Sequence, residues 1–301
     1  MNMSEPAGTG PVVRGSDSAE ELPLVSRRSR GRVLLRNRLA VAGLLIVLAW
    51  LFISLISPLL PLRDPFFEDL SNRLRGPGIA GHLLGTDALG QDVLSRVLHG
   101  GETSLSLGAL VVVLGGALGL TIGVVAGYYS GLVDEVLMRL ADIVLAFPVI
   151  VLAIAIAAGL GSSERNAVIS LLVVWWPTYA RLGRGLALGI KEQEYVTAAR
   201  ALGQGTPGIL RRAILPNMIS AVVVYATIDL GNAITTLAAL SFIGVGVPPN
   251  TPEWGIMISQ GAANFDQWWI SVFPGLALFS VIMGCNFFGD GLRDALDPRS
   301  R

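Results

Sequence analysis

Asp229 lies well inside a long apolar stretch, TIDLGNAITTLAALSF, with Thr227, Asn232, Thr235 and Thr236 close by in sequence. A carboxylate in such surroundings costs several kcal/mol unless it is solvated or paired. Two kinds of chemistry follow. Asp229 is either part of a wet path through a membrane, able to bind a proton or a sodium ion, or one member of a hydrogen-bonded cluster between helices. Other reactive residues are sparse. The sole lysine, Lys191, is neither preceded by glycine nor followed by Ser or Thr, so the chain lacks a phosphate-cradling GxxxxGK[ST] loop. Neither HExxH nor GxSxG occurs, and the single cysteine, Cys285, forms no CxxC pair and no internal disulfide. His82 and His99 stand apart from any ligand cluster; both read as ordinary loop residues, and no metal site is expected. An enzyme is not the expectation.

A second constellation is mechanical. Between two apolar runs stands EYVTAARALGQGTPGILRRAILPN, Glu194 to Asn217. Gly189 is placed to release the preceding helix, and Ala198, Ala199 and Ala201 favour a short new one. Gly203 suits the left-handed residue that ends it. Thr206 and Pro207 read as the N-cap and first position of a second short helix running through Arg211 and Arg212 towards Pro216. A plain link between helices needs roughly 2–8 residues, so a structured, small-faced, basic insert of this length implies a docking device. Its alternative is a helical hairpin lying on a membrane surface.

The elements that must carry these residues are transmembrane helices. Of 301 residues 52% are hydrophobic and only 15% charged, with a mean hydropathy of +0.62. Apolar stretches near 39–60, 103–128, 136–160, 167–188, 217–246 and 269–289 approach the roughly 20 residues that cross a hydrocarbon core. The fourth must let Arg181 and Arg184 snorkel to one surface. With the N-terminus inside, most of the 22 Lys and Arg residues fall on the cytoplasmic side, which places both termini and the 189–217 insert in the cytoplasm. Residues 1–38 read as a disordered basic tail and 39–301 as the membrane domain. The Ser26-Arg27-Arg28 sequence precedes an apolar run too long for a cleaved signal, so the first span is a retained anchor.

Three further patterns shape the bundle. Within the external segment 61–102, Leu89, Val93, Leu94, Val97 and Leu98 predict an amphipathic helix over 87–98, capped by Thr86 or Asp87. Gly115, Gly119, Gly123 and Gly127 recur every four residues and form a ridge against which another helix backbone packs closely, in this chain or in a partner. Phe147-Pro148 and Trp176-Pro177 predict kinks in the third and fourth spans.

The insert resembles the EAA loop of bacterial ABC-importer permeases: Thr197-Ala198-Ala199, then Gly203, then Ala213, Leu215 and Pro216. Thr197 and Ala213 depart from the general pattern, whereas Glu194-Tyr195 is usual for the dipeptide/oligopeptide branch. His82–Leu105, Leu240–Gly255 and Asn286–Arg299 resemble further signatures of that branch's C-type subunit, with Gln91 where Arg is commoner. The resemblance implies an all-α, six-span type I importer fold whose cytoplasmic coupling helix, Glu194 to Gly203, sits in a groove of a separate ATP-binding subunit. Glu194, Tyr195, Ala198, Ala199, Arg200, Gly203, Leu215 and Pro216 would form that contact, with Arg211 or Arg212 meeting acidic or carbonyl groups. It also implies a second homologous permease, two ATPases that bind the ATP and Mg this chain does not, and an extracytoplasmic binding protein received by segments 61–102 and 247–268, with Trp254, Trp268 and Trp269 as candidate contacts and anchoring at the membrane interface as the alternative role of the last two. Nothing points to nucleic acid. The implied cargo is di- or oligopeptide, with nickel, glutathione or haem as alternatives carried by relatives.

Two rivals remain at this level. An ion-coupled secondary transporter would use Asp229, and a structural scaffold would use the glycine ridge but leave the insert unexplained.

Overall fold

The computed structural model describes residues 34–35, 37–79 and 81–296. The basic cluster from Arg27 to Arg32, Arg36 and the rest of the expected N-terminal tail up to residue 33 lie outside them, as do residues 297–301. All regular structure among the described residues is helical: α1 Arg38–Ile56, α2 Val93–Tyr129, α3 Gly131–Leu145, α4 Val149–Leu160, α5 Glu164–Lys191, α6 Glu194–Ala201, α7 Thr206–Ile209, α8 Leu215–Ile243, α9 Trp254–Ala262 and α10 Trp269–Leu296. One π turn, Leu210–Ile214, joins α7 to α8.

Four of these helical segments are long and apolar enough to cross a membrane: Arg38–Leu59, Val93–Tyr129, Thr206–Ile243 and Trp269–Leu296. The expected third span is a bent pair, α3 and α4, meeting at 84°; counted as one it is the fifth. Pro148 precedes the first turn of α4, so the predicted kink is a full break. The expected fourth span, α5, is 28 residues long, about 42 Å at 1.5 Å per residue, but its charges keep it below the apolarity of the others. Two of those charges are paired rather than snorkelling alone. Arg184 grips Asp134 of α3 through Nε (2.5 Å) and Nη2 (2.7 Å), and Arg181 reaches Asp142 at 2.7 Å. The helix continues unbroken across Trp176-Pro177.

The glycine ridge faces α5 of the same chain. A Cβ on Gly119 would lie 2.2 Å from the Trp176 carbonyl oxygen, one on Gly123 2.1 Å from that of Ala180, and one on Gly127 2.7 Å from that of Arg184. Only backbone without side chains allows that approach, and α2 with α5 forms the most extensive helix pair in the fold. A core of Val111, Leu171, Val174, Tyr179, Leu237 and Leu240 then locks α8 onto this pair.

The helix predicted over 87–98 is corrected at its start. It begins at Val93, with Asp92 accepting from Ser95 N–H at 2.8 Å, and runs without a break into the second span. Thr86 and Asp87 instead tie down the preceding loop. Thr86 Oγ1 donates to the Asn72 carbonyl (2.6 Å), and Asp87 Oδ1 accepts from the Leu89 and Gln91 amides, both at 2.9 Å. Burial pushes the Asp87 carboxyl above its usual range, opposed by the buried Arg96 guanidinium 3.7 Å away.

The histidines also depart from expectation. His82 is buried, with Nδ1 2.7 Å from Asp92 Oδ2 and Nε2 2.9 Å from Arg63 Nη1. Because Arg only donates, Nε2 accepts and Nδ1–H donates to Asp92. His99 lies within α2, its Nδ1 2.9 Å from the Ser95 carbonyl.

Trp254 is fully buried and is not available to a docking protein; its indole donates to the Val97 carbonyl at 2.9 Å. It opens α9, a helix within the segment 247–268 expected as an external loop. Glu253 caps that helix by accepting from Gly255 and Ile256 N–H, each at 3.0 Å. Trp269 is half-buried, donating to the Thr86 carbonyl (3.1 Å), and Trp268 alone of the three is largely exposed.

Candidate functional site

Helix α5 runs past Gly189 to Lys191 before the chain turns, so Gly189 is not the release point. Lys191 anchors the turn. Its Nζ lies 3.0 Å from the Gly127 carbonyl, 3.3 Å from that of Tyr128 and 2.5 Å from Ser130 Oγ, where the end of α2 leaves carbonyls without helical partners. A cation there also meets the negative end of the helix dipole.

Helix α6 follows and ends as its composition requires. Gly203 has φ +79°, its N–H bonds to the Arg200 carbonyl (2.9 Å), and Gln204 N–H bonds to that of Ala199 (3.0 Å). That pair of bonds is a Schellman closure, which needs a left-handed residue where glycine stands. The second helix starts one residue earlier than expected, with Gly205 as N-cap and Thr206 and Pro207 inside the first turn. Nor does it stop near Pro216: α7, the π turn and α8 form a continuous rod from Thr206 to Ile243.

The elbow stands on a small core of its own. Val196 of α6, Ile209, Ala213, Ile214 and Met218 pack on Val124 of α2 and Ala187 of α5. Arg200 places its guanidinium 5.3 Å from the Tyr128 ring centroid, and Asn217 Nδ2 donates to Tyr195 Oη at 3.1 Å. Val196 is the only buried residue of α6, so the rest of that helix is presented outward. Glu194, Tyr195, Ala198 and Leu202 share one exposed face at helical spacing, with Leu202 88% exposed. Ala199 is half-buried; Arg200, Arg211, Arg212, Leu215 and Pro216 are exposed. Lys191 and Tyr128 join this site through partners far away in sequence, which no local pattern marks, and Asn217 joins it because the fold of the insert brings its amide to Tyr195 Oη.

The residues around Asp229 divide. Asp229 is buried between helices, its Oδ2 accepting from Trp175 Nε1 (2.7 Å) and Tyr179 Oη (2.9 Å) of α5. Asn232 and Thr235 are exposed, Asn232 also hydrogen-bonding the Asp229 carboxyl through its side chain, while Thr236 is half-buried. The Thr235 and Thr236 hydroxyls donate to carbonyls of their own helix, Gly231 at 2.7 Å and Asn232 at 2.8 Å. Towards the elbow, a groove of about 530 Å³ runs between α5, α8 and α10, lined by Leu182, Ala221, Val224, Tyr225, Ile228 and Arg293 among others. Asn232 follows Tyr225 and Ile228 by seven and four residues, so the groove and the exposed polar pair share one face of α8. Tyr225 meets Tyr179 edge-on at 5.2 Å, which links the groove wall to the Asp229 cluster.

Repeated membrane crossings, a trough along one helix and a protruding two-helix elbow together define a transport permease. A family model described as the inner membrane component of binding-protein-dependent transport systems matches residues 119–301, and one for the N-terminal transmembrane domain of oligopeptide transport permease C matches residues 28–77. The chain belongs to this family of binding-protein-dependent transport system inner membrane components, among its C-type permeases. It is 40% identical to a dipeptide transport system permease of Alkalihalophilus pseudofirmus over 275 residues, 91% of this chain and 90% of the relative. It is equally 40% identical to a glutathione transport system permease of Pectobacterium atrosepticum, over 97% and 95% of the two chains. A probable D,D-dipeptide transport system permease of Escherichia coli is 40% identical over 87% and 88%. The protein is thus a multi-pass inner-membrane subunit of an ABC transport complex and not itself an enzyme.

Proposed function

We propose that this chain forms one half of the translocation path of an ATP-driven importer for di- or oligopeptides, with α6 as its coupling helix. The observation that carries the reading is the elbow: α6 is fixed to α2, α5 and α8 on one side and leaves Tyr195, Ala198 and Leu202 uncovered on the other. Small residues there permit close seating in a groove of an ATP-binding subunit, and Leu202, 88% exposed, offers that partner an apolar contact. The elbow, and with it both termini, is cytoplasmic by the distribution of Lys and Arg.

Two ATP-binding subunits hold ATP and Mg and close on hydrolysis-competent binding; this chain binds neither cofactor. Closure moves α6, and the motion passes to α2 through Lys191 and to α8 through the continuous rod from Thr206. Across the trough face of α8 a second, homologous permease completes the path. Asn232 and Thr235, exposed on the trough face of α8, line it. An extracytoplasmic binding protein delivers the cargo at the far end, near the exposed Trp268 and Phe265.

Peptide is the first cargo because two of the three relatives named above carry dipeptide in their names. Glutathione, itself a small peptide, is the second, on the equal identity of its permease. The test is Ala198→Arg and Leu202→Asp in the intact transporter. Both positions are open, so membrane level and melting temperature stay near wild type while ATP-driven peptide uptake and ATPase co-purification fall together. Unchanged uptake in both variants overturns the reading.

A further inference from the structure

A cleft of about 260 Å³ opens between α1 and α2, at the end of the bundle away from the elbow. As consecutive crossings the two helices run antiparallel, so the lining is graded along the cleft. Pro58 and Glu102 stand at its far end, Leu55 and Leu105 at the middle, and Leu51 and Ala109 towards the centre of the bundle. Ser54, another lining residue, packs on α2 where a Cβ added to Gly101 would come within 2.7 Å of its Oγ, and this contact closes the back of the cleft. The Ser54 hydroxyl is buried and has no hydrogen-bond partner among the described residues, which leaves an unmet polar group at the wall.

Depth follows from helix length. The 37 residues of α2 extend about 56 Å, well beyond a hydrocarbon core of about 30 Å. The apolar run near 103–128 begins directly after Glu102, which puts this carboxylate at the boundary between headgroups and acyl chains. A charge at that depth is costly unless it is solvated or paired. Glu102 is exposed and makes no hydrogen bond or ion pair with any described residue, and no residue lining the cleft is basic. The neighbouring Ser106 hydroxyl is spent on its own helix, donating to the Thr103 carbonyl at 3.3 Å. The cleft is therefore an apolar slot headed by an uncompensated negative charge.

We propose that it holds a phospholipid with a primary-amine headgroup, the ammonium on Glu102 and an acyl chain along Leu105, Leu55 and Leu51. An ammonium gives a carboxylate charge-assisted hydrogen bonds; a trimethylated headgroup has no N–H to give, and an anionic one is repelled. The ester oxygens of such a lipid lie just below its headgroup, beside the unpartnered Ser54 hydroxyl. Lipid rather than protein is the occupant because α1 packs chiefly on α10 and α2 at the margin of the bundle, whereas the trough given above to a second permease lies between α5, α8 and α10. The inference needs the membrane but not the coupling role of α6.

The experiment releases the complete transporter from nanodiscs of phosphatidylcholine, phosphatidylethanolamine and phosphatidylglycerol in equal parts and identifies by native mass spectrometry the lipids it retains. Wild type should keep phosphatidylethanolamine in preference to the other two. Glu102→Gln, at an exposed position, should leave the melting temperature unchanged and lower that preference by about three- to fivefold, the worth of an exposed ion pair. Glu102→Lys should turn the preference towards phosphatidylglycerol, and Ala109→Phe, which fills the inner end, should lower retention of all three lipids. A wild type that keeps lipids in the proportions supplied holds annular lipid only and overturns the proposal. So does a preference that survives Glu102→Gln, or a retention that Ala109→Phe leaves unchanged. A photoreactive side chain at Leu55 should cross-link to lipid; cross-linking to the second permease in its place gives the cleft a protein occupant and overturns the proposal as well.

Discussion

Lys191 Nζ sits 3.0 Å from the carbonyl oxygen of Gly127, so the last residue of α5 caps the end of the helix that carries the glycine ridge. The two helices are thereby joined twice. Along their length backbone packs on backbone, and at the elbow end a cation closes the last turn. A displacement applied to α6, three residues beyond Lys191, is received by the pair as one body.

Lys191→Met tests that closure. The variant keeps the apolar stem and removes three polar contacts, a loss of about 1 kcal/mol at a helix C-terminus. Membrane insertion should be unchanged, and amide hydrogen exchange over residues 192–205 should accelerate. Exchange as slow as in the wild type would show that the cap does not hold the elbow.

Alanine substitutions along the ridge should give a graded series. Gly119→Ala and Gly123→Ala push a methyl into backbone at 2.2 and 2.1 Å, whereas Gly115→Ala meets Trp175 Cβ at 3.2 Å. Overpacking of the first two should cost about 1–3 kcal/mol each. At Gly115 the gain in helix propensity, up to about 1 kcal/mol, offsets a milder contact. Melting temperatures in detergent should therefore fall for positions 119 and 123 and stay near wild type for 115. Equal shifts at all three positions would contradict the α2–α5 geometry.

The ridge and the left-handed Gly203 were legible in sequence because each follows from a local rule: removal of side chains at a fixed period, and a backbone conformation only glycine adopts freely. What was not legible depended on tertiary partners. The stretch before Trp254, with Pro248, Pro249, Asn250 and Pro252, has loop composition, yet Glu253 caps a nine-residue helix that is buried by α2, α8 and α10. Pro216 reads as a helix end, but a π turn and the Asn217 side chain carry the helix across it. His82 looked unremarkable because its partners, Arg63 and Asp92, lie on either side of a long irregular loop with no periodicity to connect them.

Acidity should act through Asp87. Burial raises its carboxyl above the ordinary value of 3.8, so the folded chain holds this proton more tightly than the unfolded chain. Its contribution to stability is full below that value and is lost as pH rises through the raised one. Asp87→Asn removes the titration. Unfolding of the wild type should therefore become easier, relative to this variant, as pH is raised from about 4 towards neutrality; parallel pH profiles for the two proteins would refute the assignment.

Asp229 separates an ATP-driven permease from an ion-coupled one. In the structure its Oδ2 accepts from both Trp175 and Tyr179, so the carboxyl serves as the acceptor that holds α8 to α5. Asp229→Asn keeps an acceptor oxygen and loses the charge; Asp229→Leu leaves two buried donors without a partner, at about 1–3 kcal/mol each. The Leu variant should be recovered poorly from membranes, whereas the Asn variant should retain most uptake. Uptake by wild type and Asn variant alike should resist a proton ionophore when ATP is held constant. If the Asn variant is well folded but inactive, and the ionophore abolishes wild-type uptake under those conditions, then charge on Asp229 is part of the transport cycle and the purely interhelical role is wrong.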